Sequence, residues 1–84
     1  MGPADLLTRT RAKPFEPFRI VTSDGVNYDV RHPDLLMVTP TSLVVGYPDP
    51  TTPGLVLRYD IVSMPHVVRL EALERPAVAG DGQG

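Results

Sequence analysis

FRIVTSDGVNYDVR, Phe18–Arg31, decides the fold. Two alternating runs flank Ser23-Asp24-Gly25. Phe18 and Ile20 share one parity before the turn, and Val26, Tyr28 and Val30 share one after it. Arg19, Asn27, Asp29 and Arg31 take the opposite parity. A side-chain period of two broken by Asp-Gly specifies a β-hairpin, because glycine supplies the positive φ that a tight turn needs. The reading places strand one at Phe18–Thr22 and strand two at Val26–Arg31.

Working outward, Pro3 to Lys13 reads as a short helix. Pro3 suits a first helical position, Asp5 lies in the first turn, and Arg9, Arg11 and Lys13 lie toward the end, an order that complements the helix dipole. Leu6, Leu7 and Thr10 form its narrow contact face. Pro14 stops the helix, since proline disfavours helical geometry at the residue before it. Lys13–Pro17 is a stiff connector in which Phe15 plugs one end of the core.

On the other side of the hairpin, His32-Pro33-Asp34 breaks the pattern. Proline donates nothing to a strand ladder, so strand two either bends at Pro33 or ends there. Leu35–Val38 then resumes a strand-like run. Pro40-Thr41-Ser42 is a turn, and Leu43–Tyr47 is strand three, with Gly46 marking a bend or a close backbone approach. Pro48–Gly54 is a loop. Strand four spans Leu55–Asp60, where Leu55, Leu57 and Tyr59 alternate against Val56, Arg58 and Asp60. Ile61–Pro65 is a tight crossing, and Val67–Leu73 is strand five. The predicted class is therefore mainly β: a short N-terminal helix followed by a five-stranded antiparallel SH3-like or Sm-like small barrel. Residues 1–73 form one domain. Residues 74–84, with no period and three glycines, are expected to be a disordered tail.

Composition narrows the function classes. At 84 residues, with 42% hydrophobic and 21% charged, the chain has the make-up of one soluble globular domain. A domain of this size buries only about 60% of its unfolded surface. With no cysteines and no zinc-type spacing, oligomerisation is the staple that remains. Nothing approaches the roughly 20 apolar residues of a membrane span, and no signal peptide is visible, so the expected compartment is the cytoplasm. A net charge of −2 argues against non-specific nucleic-acid binding.

The run PFRIVTSDGVNYDVRHPDLLMV resembles a group of short, uncharacterised bacterial proteins that share a PFRI–DG–Y-V-HPD pattern, over about Pro14 to Leu73. The order of helix then strands also resembles the Sm-like barrels, which bind RNA and assemble into rings. In that family a D-x-x-M-N segment supplies the base pocket. Asp34 and Met37 match its spacing, and Val38 stands where the asparagine belongs.

Few residues carry candidate chemistry. His32 could be a base held by Asp34, which would make the chain a small hydrolase or isomerase; a bend capped by local hydrogen bonds is the simpler reading. Arg9, Arg11, Lys13 and Arg19, interleaved with Phe15 and Phe18, together with Arg31, form the candidate nucleic-acid track. His32 and His66 lack a third ligand at fixed spacing, so no metal site and no cofactor is expected. Tyr28, Tyr47 and Tyr59 are expected to pack their rings in the core with hydroxyls at the rim. The function expected first is a non-catalytic module that acts by self-association, as a homo-oligomer, or by binding a protein partner. An Sm-like binder of RNA or single-stranded nucleic acid comes second.

Overall fold

The computed structural model describes residues 1–73. The expected tail, 74–84, lies outside the described residues. Helix α1, Pro3–Arg11, begins where the Gly2 N–H donates to the Asp5 carboxylate at 3.1 Å, and it packs against β3, Leu36–Val38. It ends two residues before the predicted Lys13, because Ala12 already has extended backbone. Of its expected contact face only Leu6 is fully buried.

The expected hairpin forms, with its second strand one residue shorter at each end than the expected Val26–Arg31. Strands β1, Phe18–Thr22, and β2, Asn27–Val30, pair antiparallel with Phe18 opposite Val30 and Ile20 opposite Tyr28. Gly25 takes φ +86°, and its N–H donates to the Thr22 carbonyl at 3.0 Å. The buried Thr22 hydroxyl lies within hydrogen-bonding distance of the Asp24 carboxylate and the Val26 carbonyl. Residues Phe18, Ile20 and Thr22 are buried while Arg19 and Val21 are half-buried, which is the period-two burial that the sequence implies.

Strand two ends before Pro33. Residues Pro33–Leu35 form a single 3-10 turn, and β3 starts a new ladder in a second sheet. Strand β4, Ser42–Pro48, runs one residue longer at each end than expected. Strand β5, Val56–Ser63, takes in Ile61–Ser63, which the sequence reading assigned to the crossing; the crossing itself is a second 3-10 turn at Met64–His66. Strand β6, Val67–Ala72, closes the described chain.

The class is mainly β, as expected, but the five-stranded closed barrel is not what forms. The described residues form six strands in two three-stranded antiparallel sheets, ordered β2-β1-β6 and β3-β4-β5. The physical reason lies in the two proline-containing 3-10 turns. Each interrupts the strand hydrogen bonding and sends the chain from one sheet to the other. Among the described residues no ladder joins the two sheets, so each keeps free edges. The core between them is built from Leu6, Phe18, Ile20, Val30, Leu36, Leu43, Val45, Val62, Met64 and Val67, with Phe15, Tyr28, Val38 and Leu70 packed against it.

Candidate functional site

Arg31, His32 and Asp34 line a surface cavity of about 470 Å³, with Leu35, Pro48, Gly54, Leu55 and Val56 as its other walls. His32 is the residue before the 3-10 turn, and its Nδ1 accepts the Asp34 backbone N–H at 3.1 Å. The imidazole, rather than the Asp34 carboxylate, is therefore the cap of this bend. With Nδ1 used as an acceptor, neutral His32 carries its proton on Nε2. The Asp34 carboxylate stands 3.8 Å from Nδ1, beyond hydrogen-bond range, so it does not orient the ring as a catalytic partner would.

The other histidine serves a different end of the fold. His66 Nδ1 lies 3.0 Å from the Ser23 hydroxyl, and the Ser23 N–H donates to the His66 carbonyl at 2.8 Å. The contact ties the β1–β2 turn to the second 3-10 turn. Nothing in the sequence announces it, since the two residues are 43 positions apart. Among the described residues no three His, Cys, Asp or Glu side chains gather as metal ligands would.

The five candidate nucleic-acid residues are divided among different tasks. Arg9 stands over the Phe18 ring at 5.3 Å, and that ring is fully buried, so its face is occupied from within. Arg19 pairs with Asp29 at 2.8 Å across the β1–β2 ladder, and Arg31 approaches the same carboxylate at 3.8 Å. The Arg19 bond holds the Asp29 carboxyl below the usual carboxylate range. Arg11 and Lys13 are exposed. Phe15 is half-buried and tilts against Phe18, 6.0 Å between ring centres.

Two of the three tyrosines are half-buried: Tyr28, which packs against the core cluster as expected, and Tyr47, which does not join that cluster. The Tyr47 hydroxyl donates to Asp60 at 2.7 Å, and the Arg58 guanidinium lies 4.0 Å over its ring. Burial, helped by the Asp60 carboxylate, pushes the Tyr47 hydroxyl's pKa up. Tyr59 is the exception: it is 62% exposed. The reason is register. On β4 the buried residues Leu43 and Val45 sit opposite Val62 and Asp60, so the even-numbered positions at this end of β5 face the core. Val44 and Gly46 sit opposite Ile61 and Tyr59, which face outward.

The result is a surface that the sequence reading did not isolate. Leu57, Tyr59 and Ile61 are 63%, 62% and 67% exposed. Met37 on β3, opposite Val44, adds a fourth large apolar side chain at 64%. Gly46 keeps this face flat and close-set: a Cβ there would stand 3.1 Å from the Val56 side chain and 3.6 Å from the Leu35 carbonyl. The close approach expected at Gly46 is thus present. A signal for the surface did exist, because Leu57, Tyr59 and Ile61 alternate; ending strand four at Asp60 cut Ile61 from the row.

No family model, curated protein or solved structure matches this chain. Among the described residues no helix is long and apolar enough to cross a membrane.

Proposed function

We propose that this chain is a non-catalytic β module that acts by associating with copies of itself. One observation carries the reading. Strand β5 is an eight-residue edge strand that pairs only with β4 among the described residues, and it carries a row of three large apolar side chains more than 60% exposed. Natural proteins blunt such edges with charged side chains, lysine above all, with proline, a bulge or a covering element, because an open edge with an apolar face pairs with another chain. Residues Val56–Ser63 contain no lysine and no proline, and their two charged residues, Arg58 and Asp60, are of opposite sign, so they do not set one copy against another.

The energetic setting supports the same reading. The fully buried core is six large side chains, Phe18, Leu6, Ile20, Leu43, Val30 and Val45, and no disulfide assists it. Covering the β5 row removes further apolar area from water at about 25 cal/mol per Å², which adds to both association and stability. Within the apolar runs Leu35–Val38 and Leu43–Val45, Leu36, Leu43 and Val45 are buried and Met37 is exposed. Among the described residues the most exposed large apolar side chains are thus Leu57, Tyr59 and Ile61 of β5 together with Met37.

Light scattering across the micromolar range tests the reading. An oligomer is expected, and Ile61→Lys is expected to reduce it to a monomer while preserving the circular-dichroism spectrum. A monomeric wild-type protein throughout that range refutes the reading.

A further inference from the structure

We infer that two copies of this chain pair edge to edge through β5, antiparallel, about a two-fold axis at Tyr59. The inference rests on the self-association reading above and adds the geometry of the contact. It comes from the residues Leu57–Ile61, LRYDI, which are self-complementary when reversed: aliphatic at both ends, aromatic at the centre, and of opposite charge between. Laid antiparallel on itself with Tyr59 at the centre, the strand places Tyr59 opposite the second copy's Tyr59. Arg58 then faces Asp60 of the other copy, and Leu57 faces Ile61, each twice by symmetry. Every directly opposed pair is aromatic with aromatic, aliphatic with aliphatic, or cation with anion. Such pairs are the favourable cross-strand combinations.

Competing registers are penalised. Slipping the two strands by one residue turns the exposed row of one copy toward the core side of the other. The next slips in either direction put Arg58 opposite Arg58, or Asp60 opposite Asp60. A parallel, in-register pairing also opposes like charges. Only the Tyr59-centred register keeps both the charge pairing and the faces.

The local geometry is ready for the exchange of partners. Asp60 accepts the Tyr47 hydroxyl on Oδ2, while its Oδ1 stands 3.7 Å from Arg58 Nη1 of the same chain, beyond hydrogen-bond range. A second guanidinium from the facing strand completes that carboxylate. The ladder between β4 and β5 is regular from Ser42 opposite Ser63 to Tyr47 opposite Arg58, and shifts only beyond Tyr47. The irregularity therefore falls on Leu57, the first residue of the segment, which no β4 residue opposes, while Arg58–Ile61 lies wholly in the regular part of the ladder.

The other free edges fit less well. Strand β3 has three residues, and β2 alternates polar side chains. Strand β6 exposes one large apolar residue, Val68, and its Arg69 and Glu71 already form a 2.6 Å ion pair with each other. Isologous pairing through β5 closes on itself, so the expected particle is a dimer rather than an open chain of subunits.

The chain has no cysteine, so introduced thiols report the register without background. Opposed residues of antiparallel strands have Cα atoms about 4.5–5.5 Å apart, within the range that a disulfide spans. Under mild oxidation Tyr59→Cys is expected to give a covalent dimer, and so is the double variant Leu57→Cys with Ile61→Cys. Leu57→Cys alone and Ile61→Cys alone are expected to stay uncrosslinked, because like residues then lie about 13 Å apart along the strands. Wild-type light scattering runs beside these variants. A wild-type monomer overturns this inference and the self-association reading together. A wild-type oligomer in which Tyr59→Cys fails to crosslink, or in which Leu57→Cys alone crosslinks as well as Tyr59→Cys, overturns the β5 register and leaves self-association standing.

Discussion

Neighbouring residues Ile61 and Val62 offer a direct test of which side of β5 faces the core. Both are β-branched aliphatics on one strand, yet Val62 is 6% exposed and Ile61 is 67% exposed. Truncating Val62 to alanine removes two buried carbons, about 1.6 kcal/mol at ~0.8 kcal/mol per buried methylene, and the cavity left opposite Leu43 raises the cost to about 2–3 kcal/mol. Truncating Ile61 removes three carbons, but only about a third of that surface is shielded in the single chain. Its expected cost is about 0.8 kcal/mol with no cavity. The assay is urea unfolding of both alanine variants, with midpoints read at two protein concentrations. In dilute solution Val62→Ala should lose about two and a half to four times as much stability as Ile61→Ala. At high concentration the cost of Ile61→Ala should grow, because association stabilises the folded state by mass action. Equal or reversed costs in dilute solution would refute the register that sends Ile61 outward.

Two further outcomes follow from the packing and the charges. Leu6→Ala removes the one fully buried side chain of α1; a loss of about 3 kcal/mol is expected, read as a melting temperature lower by more than 10 °C, and a loss under 1 kcal/mol would show that the helix is not docked. The Thr22 hydroxyl and the Val26 N–H hold the Asp24 carboxyl below its ordinary range. The unfolded chain then binds that proton more readily, so the stabilisation is complete above the ordinary carboxylate range and is lost as pH falls through the lowered value. NMR titration should place the Asp24 carboxyl below 3.8, and Asp24→Asn should flatten the acid limb of the stability profile; an Asp24 carboxyl titrating at or above the ordinary value would remove this account.

Much of the candidate chemistry was legible only as a set of residue types. Arg31-His32-Pro33-Asp34 stood out in the sequence, and the structure turns it into a 3-10 turn whose cap is the His32 ring. Which atom caps depends on torsion angles that spacing does not reveal. The Arg9–Arg19 track looked continuous because its residues are close in sequence. In the structure Arg9 reaches across to Phe18 and Arg19 to Asp29, each drawn by a partner from another element. The Ser23–His66 contact was invisible for the opposite reason, since both residues lie in turns that meet only after the two sheets pack.

Local structure was readable from the chain alone. Asp24-Gly25 with period-two runs on either side can fold only as a hairpin, and Pro33 and Pro65 cannot sit inside a central ladder. Those constraints act within a few residues, through φ, ψ and the missing proline N–H, so they are readable without the fold. Tertiary structure decided the rest: that the two 3-10 turns divide the strands between two open sheets, and that Leu57, Tyr59 and Ile61 lie outside. Strand β5 has apolar residues on both parities, Val56 and Val62 on one and Leu57, Tyr59 and Ile61 on the other, so alternation alone left its inner face undetermined. The choice fell to the register with β4, where Leu43 and Val45 bury themselves and take Val62 inward with them.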